Sequence, residues 1–120
     1  MKIAVTAKGD NLDCQVDPRF GRAGKFIIFD TETENFEVVD NTQNYQAAQG
    51  AGIQSAGNVV ETGAEAVISG HCGPKAFRVL STAGIKIYAG AEGTVREMLD
   101  KFQRGELTEN STADVEGHWV

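Results

Sequence analysis

Residues 64–89, AEAVISGHCGPKAFRVLSTAGIKIYA, read as strand, turn, helix and strand in that order. The apolar run Ala66, Val67, Ile68 leads through Ser69 into Gly70-His71-Cys72-Gly73, a cluster that ends the strand. Pro74 stands where a first helical turn tolerates a residue without an N–H. The helix is predicted to last to about residue 83. Gly84 closes it, and residues 85–89 form the next strand. Two strands joined through a helix pair in parallel with a right-handed crossover. This segment therefore predicts an α/β layered domain.

The flanking sequence extends the pattern. Residues 2–7 predict a buried strand, and residues 26–30 and 36–39 predict two more, with the polar stretch 31–35 between them as a hairpin turn. From residue 50 to 62 the apolar positions Ile53, Ala56, Val59 and Val60 recur at helical spacing, and Gly63 supplies a stop. Thr94 and Glu97 form a T-x-x-E capping box ahead of Val95, Met98, Leu99 and Phe102, which share a helix face. Lys101 and Arg104 complement the dipole at that helix's end, and Gly105 suits the position after it. The opening hairpins allow an antiparallel strand, while the later units demand parallel pairing.

The chain has 120 residues, 41% hydrophobic and 23% charged, the balance of an ordinary globular domain. One binding domain is expected over residues 1–107, followed by an acidic tail, 108–120, without periodicity. No apolar run is long enough to span a bilayer, and the amino-terminal stretch lacks the apolar core of a signal peptide, so membrane and secreted classes are excluded and a cytoplasmic location is expected. The net charge is −6, but four acids and no Lys or Arg follow residue 104, which leaves the preceding chain at −2. This balance argues against nucleic acid, which requires a basic stripe. It leaves room for a compact anion held by a local cluster. The two cysteines, Cys14 and Cys72, are expected to remain thiols.

Open α/β sheets bind ligands beyond the carboxyl ends of their parallel strands. Three glycine-bearing loops are placed there, residues 8–10, 70–73 and 90–93, the last bounded by Gly90 and Gly93. Two of these loops open helices, whose first N–H groups suit an anion. The competing reading is that these glycines only turn the chain. Cys72, at a helix amino terminus, reads as a soft-metal ligand or nucleophile, with His71 as a second ligand or proton carrier. Alternatively Cys72 is a small buried apolar residue and His71 an ordinary loop residue. Arg19, Phe20, Gly21 and Arg22 place two guanidinium groups on one loop, suited to one anion unless Asp17 pairs with them. Gln49-Gly50-Ala51-Gly52 lacks the third glycine and the strand context of a dinucleotide fingerprint. Cys14 and His118 carry weaker signals still.

Two functions from different classes follow. His71-Cys72, five residues, then Arg78 matches the spacing of cysteine-dependent phosphatases, with Asp17-Pro18 cast as a general acid. Against that reading, Pro74 removes a cradle amide, Lys75 replaces a loop glycine, and Val79 stands where a Ser or Thr would follow the arginine. The other function is a binding protein. The opening KIAV, DPRFGRA at 17–23, QGAGIQSA at 49–56, GPKAF at 73–77, AGIKIY at 83–88 and GAEGTVREML at 90–99 together resemble the dinitrogenase iron–molybdenum cofactor biosynthesis family, which includes NifX and the carboxyl-terminal domain of NifB. The resemblance spans about residues 1–107.

That resemblance implies a ribonuclease H-like α/β fold, with five strands in the order 3-2-1-4-5 and strand two antiparallel. It implies a carrier or assembly factor rather than an enzyme. Its cargo would be a molybdenum-containing sulfide cluster of the Mo–Cu–S or Mo–Fe–S type, exchanged with a donor or acceptor protein. In size the chain resembles the small stand-alone members, some of which hold a molybdenum–copper sulfide cluster without nitrogenase. Such a cluster is a compact polyanion with soft sulfide acceptors. Amides at Gly70, Gly73, Gly90 and Gly93 and the Arg19 and Arg22 guanidinium groups would meet it, with Cys72 and His71 as metal ligands. The chain departs from many members in two places. Tyr45, Gln46 and Gln49 stand where a histidine is frequent, and His71-Cys72 replaces a plainer glycine loop, so ligation is expected to differ.

Overall fold

The computed structural model describes residues 1–41 and 51–110. In chain order the elements are β1 (Lys2–Ala7), β2 (Lys25–Asp30), β3 (Phe36–Asp40), α1 (Ala51–Glu61), β4 (Ala66–Ile68), α2 (Pro74–Thr82), β5 (Lys86–Tyr88) and α3 (Val95–Gln103). One mixed sheet runs β3-β2-β1-β4-β5. β2 is antiparallel to both β1 and β3, whereas β4 is parallel to β1 and β5. The short 31–35 connection forces the antiparallel hairpin. The helical crossovers force the parallel half.

Side chains alternate along the strands and divide the core in two. On one face Ala4, Phe26, Ile28, Val67 and Ile87 pack with residues of α1 and α2. On the other Ile3, Val5, Ile27, Phe29 and Ile68 pack beneath Val95, Met98 and Leu99 of α3. Both faces of β1 are covered, so it reads as a continuous apolar run rather than an alternating one.

The local signals place the helix ends. Pro74 opens α2 with Gly73 as its N-cap, and Gly84 follows it with φ 80°. At α3 the capping box is complete: the Thr94 side chain accepts from the Glu97 N–H at 3.1 Å, and the Thr94 N–H donates to Glu97 Oε1 at 2.9 Å. Gly105, at φ 73°, terminates that helix.

α1 differs from the reading. Ala56 and Val59 are buried, but Ile53 and Val60 are 45% and 39% exposed, and Ala51 and Ser55 are buried in their place. The cause is tertiary. A small-residue face lets α1 approach α2, with a Cβ at Gly52 only 3.5 Å from the Ala76 Cβ. The same face lets Ser55 reach the loop before β2, where its hydroxyl donates to the Gly21 carbonyl at 3.0 Å. Asn41 completes this join, donating through its side-chain amide to the Ala23 carbonyl at 2.8 Å and to Ser55 Oγ at 3.0 Å. The proposed helix start at Gln49-Gly50, the positions Tyr45 and Gln46, and His118 lie outside the described residues.

Beyond α3 the chain returns to the sheet. The Asn110 N–H donates to the Ile87 carbonyl at 2.8 Å, and its side-chain oxygen accepts from the Ala89 N–H at 2.8 Å. Asn110 thus lies against the outer edge of β5.

Candidate functional site

The carboxyl ends of β1 and β4 carry two loops that are stitched together through their backbones. The His71 N–H donates to the Pro18 carbonyl at 2.8 Å, and the Phe20 N–H donates to the His71 carbonyl at 3.0 Å, giving a parallel bridge between Arg19 and His71. Gly70 permits this approach: a Cβ there would stand 2.5 Å from Pro18 Cα and 2.6 Å from the Pro18 oxygen. Beneath the join, the buried Thr6 hydroxyl donates to the Asp17 carbonyl at 2.8 Å, and its oxygen lies 3.3 Å from Ser69 Oγ. This hydroxyl pair has no counterpart in the sequence reading, because nothing local marks it. The β5 loop joins the same knot, with the Gly90 N–H on the Gly70 carbonyl at 2.6 Å and the Ala91 N–H on the Ser69 carbonyl at 3.0 Å.

These bonds correct the expected amide cradle. The N–H groups of His71, Gly90 and Ala91 hold loop to loop and do not point at a ligand. Gly93 belongs to another neighbourhood. Its carbonyl accepts from Val16, and it stands against the Glu97 carboxylate of the capping box. Gly90 faces a separate cleft of about 150 Å³ with Tyr88, Met98 and Leu107. Gly21 is fixed by packing, since a Cβ there would come within 2.8 Å of Gly52 Cα in α1. Gly73 is an N-cap with no side-chain cap bond.

Cys72 and His71 diverge. Cys72 is fully buried in the core cluster that holds Phe20, Ala76 and Leu80, while His71 is exposed. Adjacent residues on opposite sides of a loop do not form a chelating pair. Among the described residues no group of three or more His, Cys, Asp or Glu side chains is arranged to hold a metal. Phe20 is likewise a core residue, 1% exposed, and its ring is tilted against Phe26 with centroids 5.4 Å apart. The phosphatase reading finds no support. A thiol sealed in the core does not meet a substrate, and Arg78 is exposed on α2.

The arginine loop keeps its open character. A cavity of about 460 Å³ is lined by Lys8, Asp17, Pro18, Arg19 and Gly24. Both cations are exposed, and among the described residues the Arg19 guanidinium has no ion-pair partner. Asp17, buried, does not pair with the arginine side chains as one reading had it. Its Oδ1 accepts the Arg19 N–H at 3.0 Å, which fixes the turn. Arg22 is half-buried and engaged in interactions of its own. The tight turn after β1 brings Lys8 beside Arg19, with the Lys8 N–H on the Gln15 carbonyl at 3.0 Å. The sequence marked that turn without assigning the lysine a role.

Residues 1–105 match the family model for the dinitrogenase iron–molybdenum cofactor. The chain belongs to that family. Protein MJ0580 of Methanocaldococcus jannaschii is 33% identical over 110 residues, 89% of each chain. Among solved structures, the apo form of the orange protein from Desulfovibrio gigas is similar at TM-score 0.93 and 41% identity, covering 95% of this chain and 96% of that one. A Thermotoga protein described as NifB-like is similar at TM-score 0.83 and 40% identity, covering 97% and 98%. Members of this family bind or carry a cofactor. No helix among the described residues is long and apolar enough to cross a membrane.

Proposed function

We propose that this protein carries a compact molybdenum-containing sulfide cluster, of the Mo–Cu–S or Mo–Fe–S type, between a donor and an acceptor protein, and that it is not an enzyme. The observation that carries the reading is the Lys8–Arg19 cavity at the carboxyl end of β1. Two exposed cations converge on a space large enough for a small polyanion, on a chain whose overall charge is −6. A local positive site on a negative molecule is selective, because it favours a compact anion and disfavours extended ones such as nucleic acid. Asp17 is the one acid in the lining, and its Oδ1 accepts the Arg19 N–H, which fixes the loop that carries the guanidinium.

Cluster binding here is chiefly noncovalent. Arg19 and Lys8 supply charge and N–H donors to sulfides, and the loop from Asp17 to Arg22 is held rigid by its bonds to His71, Ser55 and Thr6. Cys72, from its place in the core, acts through packing. The family description and the likeness to an orange protein with an apo form support a light-absorbing cargo that the protein can lose.

The test is an anaerobic titration of apo-protein with tetrathiomolybdate plus Cu(I), and separately plus Fe(II), read by visible absorption and elemental analysis. A stable chromophore is expected. Lys8→Ala with Arg19→Ala should weaken its binding about ten-fold or more, the scale of a lost charge-assisted pair. Cys72→Ala should retain the colour while lowering the melting temperature. Unchanged affinity in the double variant, or loss of colour in Cys72→Ala with the fold intact, overturns the site.

A further inference from the structure

The far edge of the sheet carries a second surface that the cargo cavity does not use. β3 pairs with β2 on one side only, and among the described residues nothing pairs with its other side. The bonds from the Asp30 N–H to the Asn35 carbonyl and from the Asn41 N–H to the Gly24 carbonyl set the phase of the ladder. In an antiparallel pair that phase alternates, so positions 35, 37, 39 and 41 turn their backbone groups toward β2, and Phe36 and Val38 turn theirs outward.

The side chains on this edge are unusual for an unprotected strand. Phe36 and Val38 are 40% and 37% exposed, standing opposite Phe29 and Ile27 on the α3 face, beyond where that helix covers. The other face, where Glu37 stands opposite Ile28, borders a cavity of about 350 Å³ whose charged lining is Lys2, Asp30 and Glu37. Natural edge strands are commonly blunted by lysine or proline, and β3 has neither. The charges of the turn and β3 are all negative, Glu32, Glu34, Glu37 and Asp40, and no Lys or Arg occurs from residue 26 to 74. Lys25 of β2 stands opposite Asp40 and Lys2 of β1 opposite Asp30, which leaves Glu32, Glu34 and Glu37 as the acids that face outward without a lysine across the ladder.

We propose that β3 is a docking edge for an extended basic segment of another protein, a strand with apolar residues alternating with Lys or Arg that adds to the sheet. Outward N–H and C=O groups at Phe36 and Val38 supply the backbone ladder. Phe36 and Val38 meet the apolar side of the incoming strand, and the acids meet its cations. A second copy of this chain is disfavoured, because edge-to-edge pairing would bring two acidic strands together. The carboxyl end of β3 is bonded through Asn41 to Gly24, which lines the cargo cavity, so a strand docked here would have one end at that cavity's rim. The docking edge itself does not depend on the cargo reading.

The probe is a nine-residue peptide alternating lysine and valine, added to isotope-labelled full-length protein and followed by amide chemical shifts. A peptide with glutamate in place of lysine serves as control. The largest shifts are expected at residues 36–40, with no binding of the glutamate peptide. Glu37→Lys, an exposed change, should weaken binding about five-fold or more, and raising salt should weaken it as well. Val38→Pro, which removes an outward N–H, should abolish it. Shifts centred elsewhere, equal binding of both peptides, an unaltered affinity in Glu37→Lys, or sedimentation showing that β3 pairs two copies of this chain would each overturn the proposal.

Discussion

Gly70 shows how much a single missing methyl group decides. A side chain there would collide with the Pro18 backbone, so Gly70→Ala should push apart the loops that carry Arg19 and His71. The expected loss is about 1–3 kcal/mol in denaturant unfolding, with weaker cargo binding as a second readout. Gly57 is the contrast. It lies inside α1 with nothing within 4 Å of a Cβ, so Gly57→Ala should raise stability by about 0.5–1 kcal/mol. The sequence places Gly70 in a strand-ending turn and Gly57 inside a helix, but it does not say which of them another backbone approaches. The difference is whether another backbone lies where the Cβ would be, and that backbone is 52 residues away in the first case. The same holds for Cys72 and His71. Their adjacency suggested a shared site, but the loop sends one into the core and the other into solvent.

At the scale of elements, what was readable is what neighbours in sequence settle. The α3 capping box needs only Thr94 and Glu97 three positions apart, and it forms as expected. Hydrogen bonds from Thr94 hold the Glu97 carboxyl below its ordinary range, and the Arg96 guanidinium does the same for Asp13, with Arg96 Nε 2.9 Å from Asp13 Oδ1. Both are depressed acids. Their stabilisation is complete above the ordinary carboxylate range and is lost as pH falls through the lower, folded-state values. The melting temperature should therefore drop on acidification below about pH 4.5, and Glu97→Gln should flatten part of that slope. Thr94→Ala, which removes the cap outright, should cost about 1 kcal/mol at neutral pH. α1 was legible as a helix and not as a face. Its large apolar residues, Ile53 and Val60, point outward, because close contact with α2 and the Asn41–Ser55 join needs small side chains on the inner side.

Across the whole molecule, the sheet is finished differently at its two edges. β5 is covered by Asn110, which supplies one backbone and one side-chain bond, whereas the outer side of β3 stays open among the described residues. Asn110→Ala should accelerate hydrogen exchange at the Ala89 amide while leaving exchange in β1 unchanged, since β1 sits at the centre of the sheet. The order of elements, the helix caps and the family membership were determined by the sequence alone. Each depends on short-range pattern: apolar period, a proline at a first turn, a glycine after a last one, and motifs in a fixed order. Which amides remain for a ligand, which cation stands beside Arg19, and which side of α1 is inward were decided only by the tertiary structure. Those properties arise where segments distant in sequence compete for the same hydrogen bonds and the same space, and local pattern carries no record of that competition.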